Sequence, residues 1–225
     1  NGIPVPHHEE VSIFNTKKLE SVFKKFKDKV IVKPKIGSRA RHTITDIKTF
    51  DDFKKAVSIA REISTHLVVE DHLDGYVCRA TLIGGKLAGF YMGKVPFVTG
   101  DGKKNISNLI IEKNASNNPR YSIKINEELI NYLSRSGFKL EDILPEGLVL
   151  NLSHRRGQLS GGYTHEFIEE LHPSFIPVLE KAAKVVGLSV VGFDCIIPDP
   201  KSDQANQKWG IIECNTLPFI DMHYY

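Results

Sequence analysis

The residues best suited to chemistry lie near the end of the chain. In VVGFDCII, Asp194 stands alone in an apolar run, and in WGIIECN, Glu213 does the same with Asn215 two positions later. Strand side chains alternate faces, so Glu213 and Asn215 point the same way. If the two strands pair about their loop, Asp194 comes close to opposite Glu213, within a residue or two of register. An ionised carboxylate inside an apolar sheet is costly unless something neutralises it. A hard cation does so, and two carboxylates with an amide oxygen suit Mg²⁺, which completes its shell with phosphate and water. Either acid taken singly reads more simply as a solvated or lysine-paired strand end. The three together read as a metal site.

Two cations are placed where an anion could be held. Lys33 ends the apolar run VIVKP just ahead of a basic stretch, which puts an ammonium within reach of a phosphate. A lysine snorkelling at a strand edge is the plain alternative. Arg79 interrupts YVCRATLI. A guanidinium there wants an anion, either a fixed carboxylate or a phosphate, and the residues leave both open. Gly100-Asp101-Gly102 reads first as a tight turn, and His165 and His172 read as structural.

The elements that must position these groups follow from patterning. A lysine-rich amphipathic helix is expected over 16–28, a short β-branched strand over 30–32, and a basic loop over 36–43. Apolar residues at Phe53, Ala56, Val57, Ala60 and Ile63 predict a helix over 50–63. A strand over 67–70 precedes a hairpin, 76–83 with 86–92, turning at Gly84-Gly85. Helices are expected over 106–112 and 125–133, with a loop at 113–120 between them. A strand at 148–152 and a turn-rich loop at 160–164 precede a long helix over 177–186, stopped by Gly187. Strands 189–197 and 209–214 close the chain around a disorder-like loop at 198–207. Hairpins mixed with helices, without strict βαβ alternation, favour an α+β fold.

Composition narrows the function classes. The 225 residues, 41% hydrophobic and 25% charged, are ordinary for a globular protein. A net charge of +3 is too weak to argue for nucleic acid as a partner. No apolar run approaches the roughly 20 residues that a spanning helix needs, so no membrane partner is expected. Residues 1–6 have neither the basic flank nor the apolar stretch of a signal peptide. Cys78, Cys195 and Cys214 are odd in number and lack CxxC spacing, which predicts reduced, buried thiols in a cytoplasmic protein.

Read in order, these pieces resemble the ATP-grasp superfamily, and within it the branch of cyanophycin synthetase and the bifunctional glutathione synthetases. VIVKP (30–34) is similar to its phosphate-lysine strand and VVEDHLDG (68–75) to its adenine hinge. RATLIGGKLAG (79–89) is similar to its arginine-bearing hairpin, and VTGDGKKNISNLI (98–110) to its GDG segment. LSGGYTHEFIEELHP (159–173) resembles its STGG loop and acidic HP segment. GFDCII with IIECNTLPFIDMH (211–223) resembles the terminal metal-binding pair.

The resemblance implies two α+β lobes sandwiching a nucleotide, a small lid lobe over 1–70 and a larger lobe over 71–225, with an N-terminal domain of the parent protein absent. It implies ATP with Mg²⁺ (or Mn²⁺). Phosphates would be bound by Lys33 and Arg79, aided by Arg39 and Arg41 of the lid loop. Glu70, Asp71 and Leu73 would line the adenine pocket, and Asp194, Glu213 and Asn215 would hold the metal. The arginine upstream of the STGG loop is displaced to Arg155 or Arg156, and Arg156 joins Arg79 in the catalytic set. The implied reaction is amide or peptide bond formation through an acyl phosphate, from a small-molecule carboxylate and an amine, each an amino acid or peptide. A phosphotransferase on the same fold and a nucleotide-binding regulatory module without turnover are the rivals. A homo-oligomer is compatible with the sequence, which does not fix the assembly. The chain departs from the family pattern at Ala40 and His42, where glycines are expected, and at Val77, where an acidic residue is expected near the ribose.

Overall fold

The computed structural model describes residues 2–12, 18–36, 42–116, 122–153, 161–218 and 220–223. The chain divides into two compact units, Asn1–Asp74 with Trp209–Ile212, and Gly75–Lys208 with Glu213–Tyr225. Strands, hairpins and helices are mixed in both, giving an α+β fold.

The first unit is a four-stranded sheet with helices packed on it. Its strands are β1 (His8–Ser12), β2 (Val30–Pro34), β3 (Ile44–Ile47) and β4 (His66–Asp71), in the spatial order β1-β4-β2-β3. Helix α2 (Phe50–Ala60) lays Phe53, Ala56, Val57 and Ala60 on a core containing Val30, Val32, Leu67 and Val69. Thr49 caps it by accepting the Asp52 N–H at 3.2 Å, which satisfies one of the helix's orphan donors. Of the helix expected over 16–28, positions 16 and 17 lie outside the described residues, and the rest is helical only over α1 (Leu19–Phe23). Lys25 is drawn to Glu9 of β1 at 2.7 Å. The chain instead tightens through i→i+3 bonds from Lys25 and Phe26, turning Phe26 into the core against His7. Strand β1 was not expected, because HEE shows no apolar alternation. It is an edge strand and needs only Val11 buried.

The second unit is built on a five-stranded sheet. Its strands are β5 (Tyr76–Ile83), β6 (Lys86–Lys94), β9 (Tyr163–Glu166), β10 (Val190–Ile197) and the Glu213–Asn215 part of β11 (Gly210–Asn215), in the order β11-β10-β5-β6-β9. The β5–β6 hairpin turns on Gly84 and Gly85 at φ of 59° and 76°. Two successive positive φ angles are what a two-residue hairpin turn requires. Helix α5 (Phe175–Val186) buries Phe175, Leu179, Ala182 and Ala183 and stops at Gly187, φ 75°. A separate apolar cluster joins the β7 (Phe97–Thr99) and β8 (Val149–Asn151) pair to α3 (Ile106–Ser116) and α4 (Glu127–Arg135).

Several expectations are corrected here. Helix α3 runs on to Ser116, through residues read as loop. Lys113 donates to the Phe97 carbonyl at 2.6 Å with its ammonium over the Phe97 ring, and the Asn114 amide exchanges two hydrogen bonds with the Ile123 backbone. These contacts give polar residues a reason to stay helical. The segment read as a turn-rich loop at 160–164 runs into β9, which pairs with β6; its polar residues hide an edge strand. The loop at 198–207 is well tied. Gln207 Nε2 donates to the carbonyls of Asp199, Ser202 and Asp203, and residues Gln204–Asn206 form a 3-10 turn. Cys78 and Cys195 are buried and free, but Cys214 is exposed, because β11 is an edge strand. Among the described residues no helix is long and apolar enough to cross a membrane.

Candidate active site

Antiparallel register builds a line of polar groups across one face of the second unit's sheet. Asp194 on β10 lies opposite Arg79 on β5, Arg79 opposite Tyr91 on β6, and Tyr91 opposite Glu166 on β9. Directly opposed residues share a face, so two carboxylates, a guanidinium and a phenol form one row. A β-bulge between Thr81 and Leu82 sets this alignment. Without it the two-residue turn would bring Phe90, not Tyr91, opposite Arg79.

Arg79 finds a fixed carboxylate. Its guanidinium grips Asp194 with two hydrogen bonds, Nε to Oδ1 and Nη2 to Oδ2, the second at 2.9 Å. The side chains are 12% and 17% exposed, so the pair is largely desolvated and bidentate. Burial alone would lower the Arg79 pKa. The hydrogen bonds and charge of Asp194 outweigh it, with Tyr91 and Glu213 adding to the rise. Asn215 joins from β11, its Nδ2 donating to Asp194 Oδ2 at 3.3 Å. Glu213 sits two positions earlier in the same strand, exposed at the surface. Burial and the Glu213 charge both push the neighbouring Cys214 thiol up.

The donor chemistry here fits a hard divalent cation. Asp194 and Glu213 bring two carboxylates beside the Arg79 guanidinium, oxygen donors of the kind a hard cation takes. Asn215 supplies an amide oxygen once its amide plane turns over, an orientation set by its partners. Among the described residues no group of three His, Cys, Asp or Glu could hold a metal, so a cation here would need the amide, phosphate or water to complete its shell.

In the first unit, Lys33 and Glu70 of the neighbouring strands β2 and β4 meet at 2.7 Å, both partly buried. The Asp71 N–H donates to the His7 carbonyl at 2.9 Å. Leu73 is buried, its Cδ1 3.2 Å from where a Cβ on Gly210 would sit. His72 beside it is pushed towards the neutral form, chiefly by burial and then by the Lys29 charge. Arg39, Arg41 and Arg156 lie outside the described residues. Val77, in the position where an acid was expected, is exposed on β5. Tyr91 and Glu166 were not singled out from the sequence. The hairpin at Gly84-Gly85 carries the signal for Tyr91, but the bulge blurs it by one residue.

No protein-family model matches the chain. It is 27% identical to the cyanophycin synthetase of Synechocystis over 231 residues, 99% of this chain and 26% of that protein. It is 28% identical to the glutathione biosynthesis bifunctional protein GshAB of Clostridium perfringens over 239 residues, 100% of this chain and 30% of that protein. Among solved structures, a bifunctional glutathione synthetase from Pasteurella multocida superposes with a TM-score of 0.71 at 26% identity, covering 100% of this chain and 32% of that one. The ATP-grasp ligase PsnB bound to a minimal precursor superposes with a TM-score of 0.52 at 15% identity, over 98% of this chain and 49% of that one. The chain thus spans between a quarter and a third of the length of these two curated relatives. Its fold is the ATP-grasp fold.

Proposed function

We propose that this chain, an ATP-grasp fold similar along its whole length to peptide-forming synthetases, is the nucleotide-binding part of an ADP-forming, Mg²⁺-dependent carboxylate–amine ligase. The observation that carries the reading is the polar cluster: an Arg79–Asp194 pair with Asn215 and Glu213 beside it on the sheet of the second unit. Such a cluster has no structural need for two carboxylates and an amide around one guanidinium. A phosphate-bearing substrate with its cation uses all four.

In this reading a carboxylate oxygen of the first substrate attacks the γ-phosphorus of ATP, and the bond to the β–γ bridging oxygen breaks to release ADP. The amine of the second substrate then attacks the acyl carbon, phosphate leaves, and the nitrogen gives up a proton to solvent. No protein nucleophile is needed, because positioning and charge neutralisation supply most of the rate in phosphoryl transfer. Arg79 contributes fixed positive charge to the transferring phosphoryl group. Lys33 contributes an ammonium to the phosphates, held in place by Glu70. Asp194, Glu213 and Asn215 would hold a divalent cation, whose chemistry is to neutralise phosphate oxygens. Glu70, Asp71 and Leu73 would border the adenine. Arg39, Arg41 and Arg156 would add further positive charge. The substrates are small, an amino acid or peptide on each side.

The reading is tested by ADP release that requires a carboxylate and an amine together. A narrower test concerns Lys33. Lys33→Ala should weaken ATP binding by roughly 1.5–3 kcal/mol, the worth of a charge-assisted contact, and leave adenosine binding nearly unchanged. Calorimetric titration of both ligands measures this. Equal losses for the two would mean that Lys33 only braces Glu70.

A further inference from the structure

Beside the polar row lies a second row. Two positions along β5 from Arg79, Thr81 sits between Gly192 on β10 and Gly89 on β6. Two glycines flanking a threonine on one sheet face leave a trough. The chain that follows Asn215 fills it. A Cβ on Gly192 would come within 2.7 Å of Pro218 and 3.2 Å of Arg79 Cδ, so both side chains lie over that glycine. A Cβ on Gly89 would come within 2.5 Å of the His223 imidazole.

Both ring nitrogens of His223 are held. It belongs to the 3-10 helix Ile220–His223, and its side chain is 9% exposed. Nδ1 lies 2.5 Å from Glu166 Oε2, and Nε2 lies 2.7 Å from Thr81 Oγ1. The other oxygen of Glu166 accepts the Phe90 N–H at 2.9 Å and the Ile168 N–H at 3.3 Å, so the carboxylate is fixed in turn. The Tyr91 ring packs 5.2 Å from the imidazole. With Nδ1 donating to the carboxylate, Nε2 accepts the Thr81 hydroxyl. The order hydroxyl, imidazole, carboxylate resembles a nucleophilic triad, but Thr81 is 2% exposed and both ring nitrogens are engaged. It is an anchor.

We propose that His223 is a positioning residue of the ligase site. Docked between Thr81 and Glu166, it pins one end of the segment whose other end is the Asn215–Asp194 contact. The pinned segment keeps Pro218 over Gly192 beside the Arg79 stem and keeps Asn215 on Asp194. This inference rests on the ligase reading. Partners one step removed from a metal or phosphate site lower affinity or activity by about 10–100-fold when lost.

The test is a two-residue cycle in the full-length protein that carries this chain. Gly89 is outside the left-handed region, so Gly89→Ala is allowed by the backbone and acts by expelling the imidazole. Gly89→Ala and His223→Ala should each lower kcat about tenfold and raise the Mg²⁺ concentration for half-maximal rate. The double variant should be no worse than either, whereas independent defects would multiply to about a hundredfold. His223→Gln, whose amide can donate to Glu166 and accept from Thr81, should recover part of the loss. Amide hydrogen exchange at residues 216–217 and 220–222 should quicken in both single variants, and this needs no turnover. Multiplying defects, or exchange unchanged from wild type, would overturn the proposal. Quickened exchange with wild-type turnover and Mg²⁺ dependence would also overturn it while leaving the ligase reading intact. A wild-type protein that shows no carboxylate- and amine-dependent turnover would overturn the ligase reading, and the positioning role with it.

Discussion

Glu213→Gln should abolish most Mg²⁺-dependent ADP formation while the protein stays folded. Glutamine keeps the shape and hydrogen-bonding capacity of the side chain and removes only the charge. Glu213 is exposed at the end of an edge strand, so the change should alter stability by no more than about 0.5 kcal/mol. Its effect on the site is larger. Glu213 brings a second carboxylate beside the Arg79–Asp194 pair, and its charge would help to attract a cation. Loss of a single charge-stabilising group typically lowers kcat by about 100-fold or more, and a drop on that scale is the expected result. ADP formation at the wild-type rate in Glu213→Gln would remove the metal assignment.

The second large effect concerns Arg79. Arg79→Ala leaves the Asp194 carboxylate largely buried, with the Asn215 amide beside it among the described residues. Breaking such a pair should cost about 2–3 kcal/mol, less than for a fully buried pair because both side chains keep some exposure. If Asp194 also takes part in holding a divalent cation, millimolar Mg²⁺ should restore part of that loss by supplying the missing positive charge. In an Asp194→Asn background the same Arg79→Ala change should cost much less, since no charge is stranded. Thermal unfolding of the four proteins with and without MgCl₂ reads both comparisons. A loss that Mg²⁺ does not reduce would separate Asp194 from the cation and leave the pair as a structural clasp.

Much of the site could be read from the sequence because its residues break apolar runs. Asp194 and Glu213 are conspicuous among Val, Ile and Phe, and strand alternation puts Asn215 on the same side as Glu213. The hairpin at Gly84-Gly85 and the helix stop at Gly187 were legible for a similar local reason: glycine at a positive φ angle. The partner of Arg79 was not legible. Asp194 lies 115 residues away, and only the pairing of β5 with β10 brings it opposite. Nor could the pairing with Tyr91 be read, since a single bulge moves every residue beyond it by one position. Strands β1 and β9 escaped notice because edge strands tolerate polar residues on both faces. His223 carried no signal beyond its place in the terminal motif, because its importance depends on the trough beneath it, made by two glycines on separate strands. The ligase chemistry itself came from the ordered set of motifs, which periodicity alone does not supply.

ATP-driven joining of a carboxylate and an amine is tested by following ADP release from the full-length protein with Mg–ATP across a panel of amino acids and short peptides, singly and in pairs. The account predicts low release with any single compound, a marked rise with one particular pair, and an amide product equal in amount to the ADP formed. ADP release that needs only one hydroxyl-bearing compound and yields its phosphate ester would contradict it in favour of a phosphotransferase, and nucleotide binding without any ADP across the panel would contradict it in favour of a regulatory module.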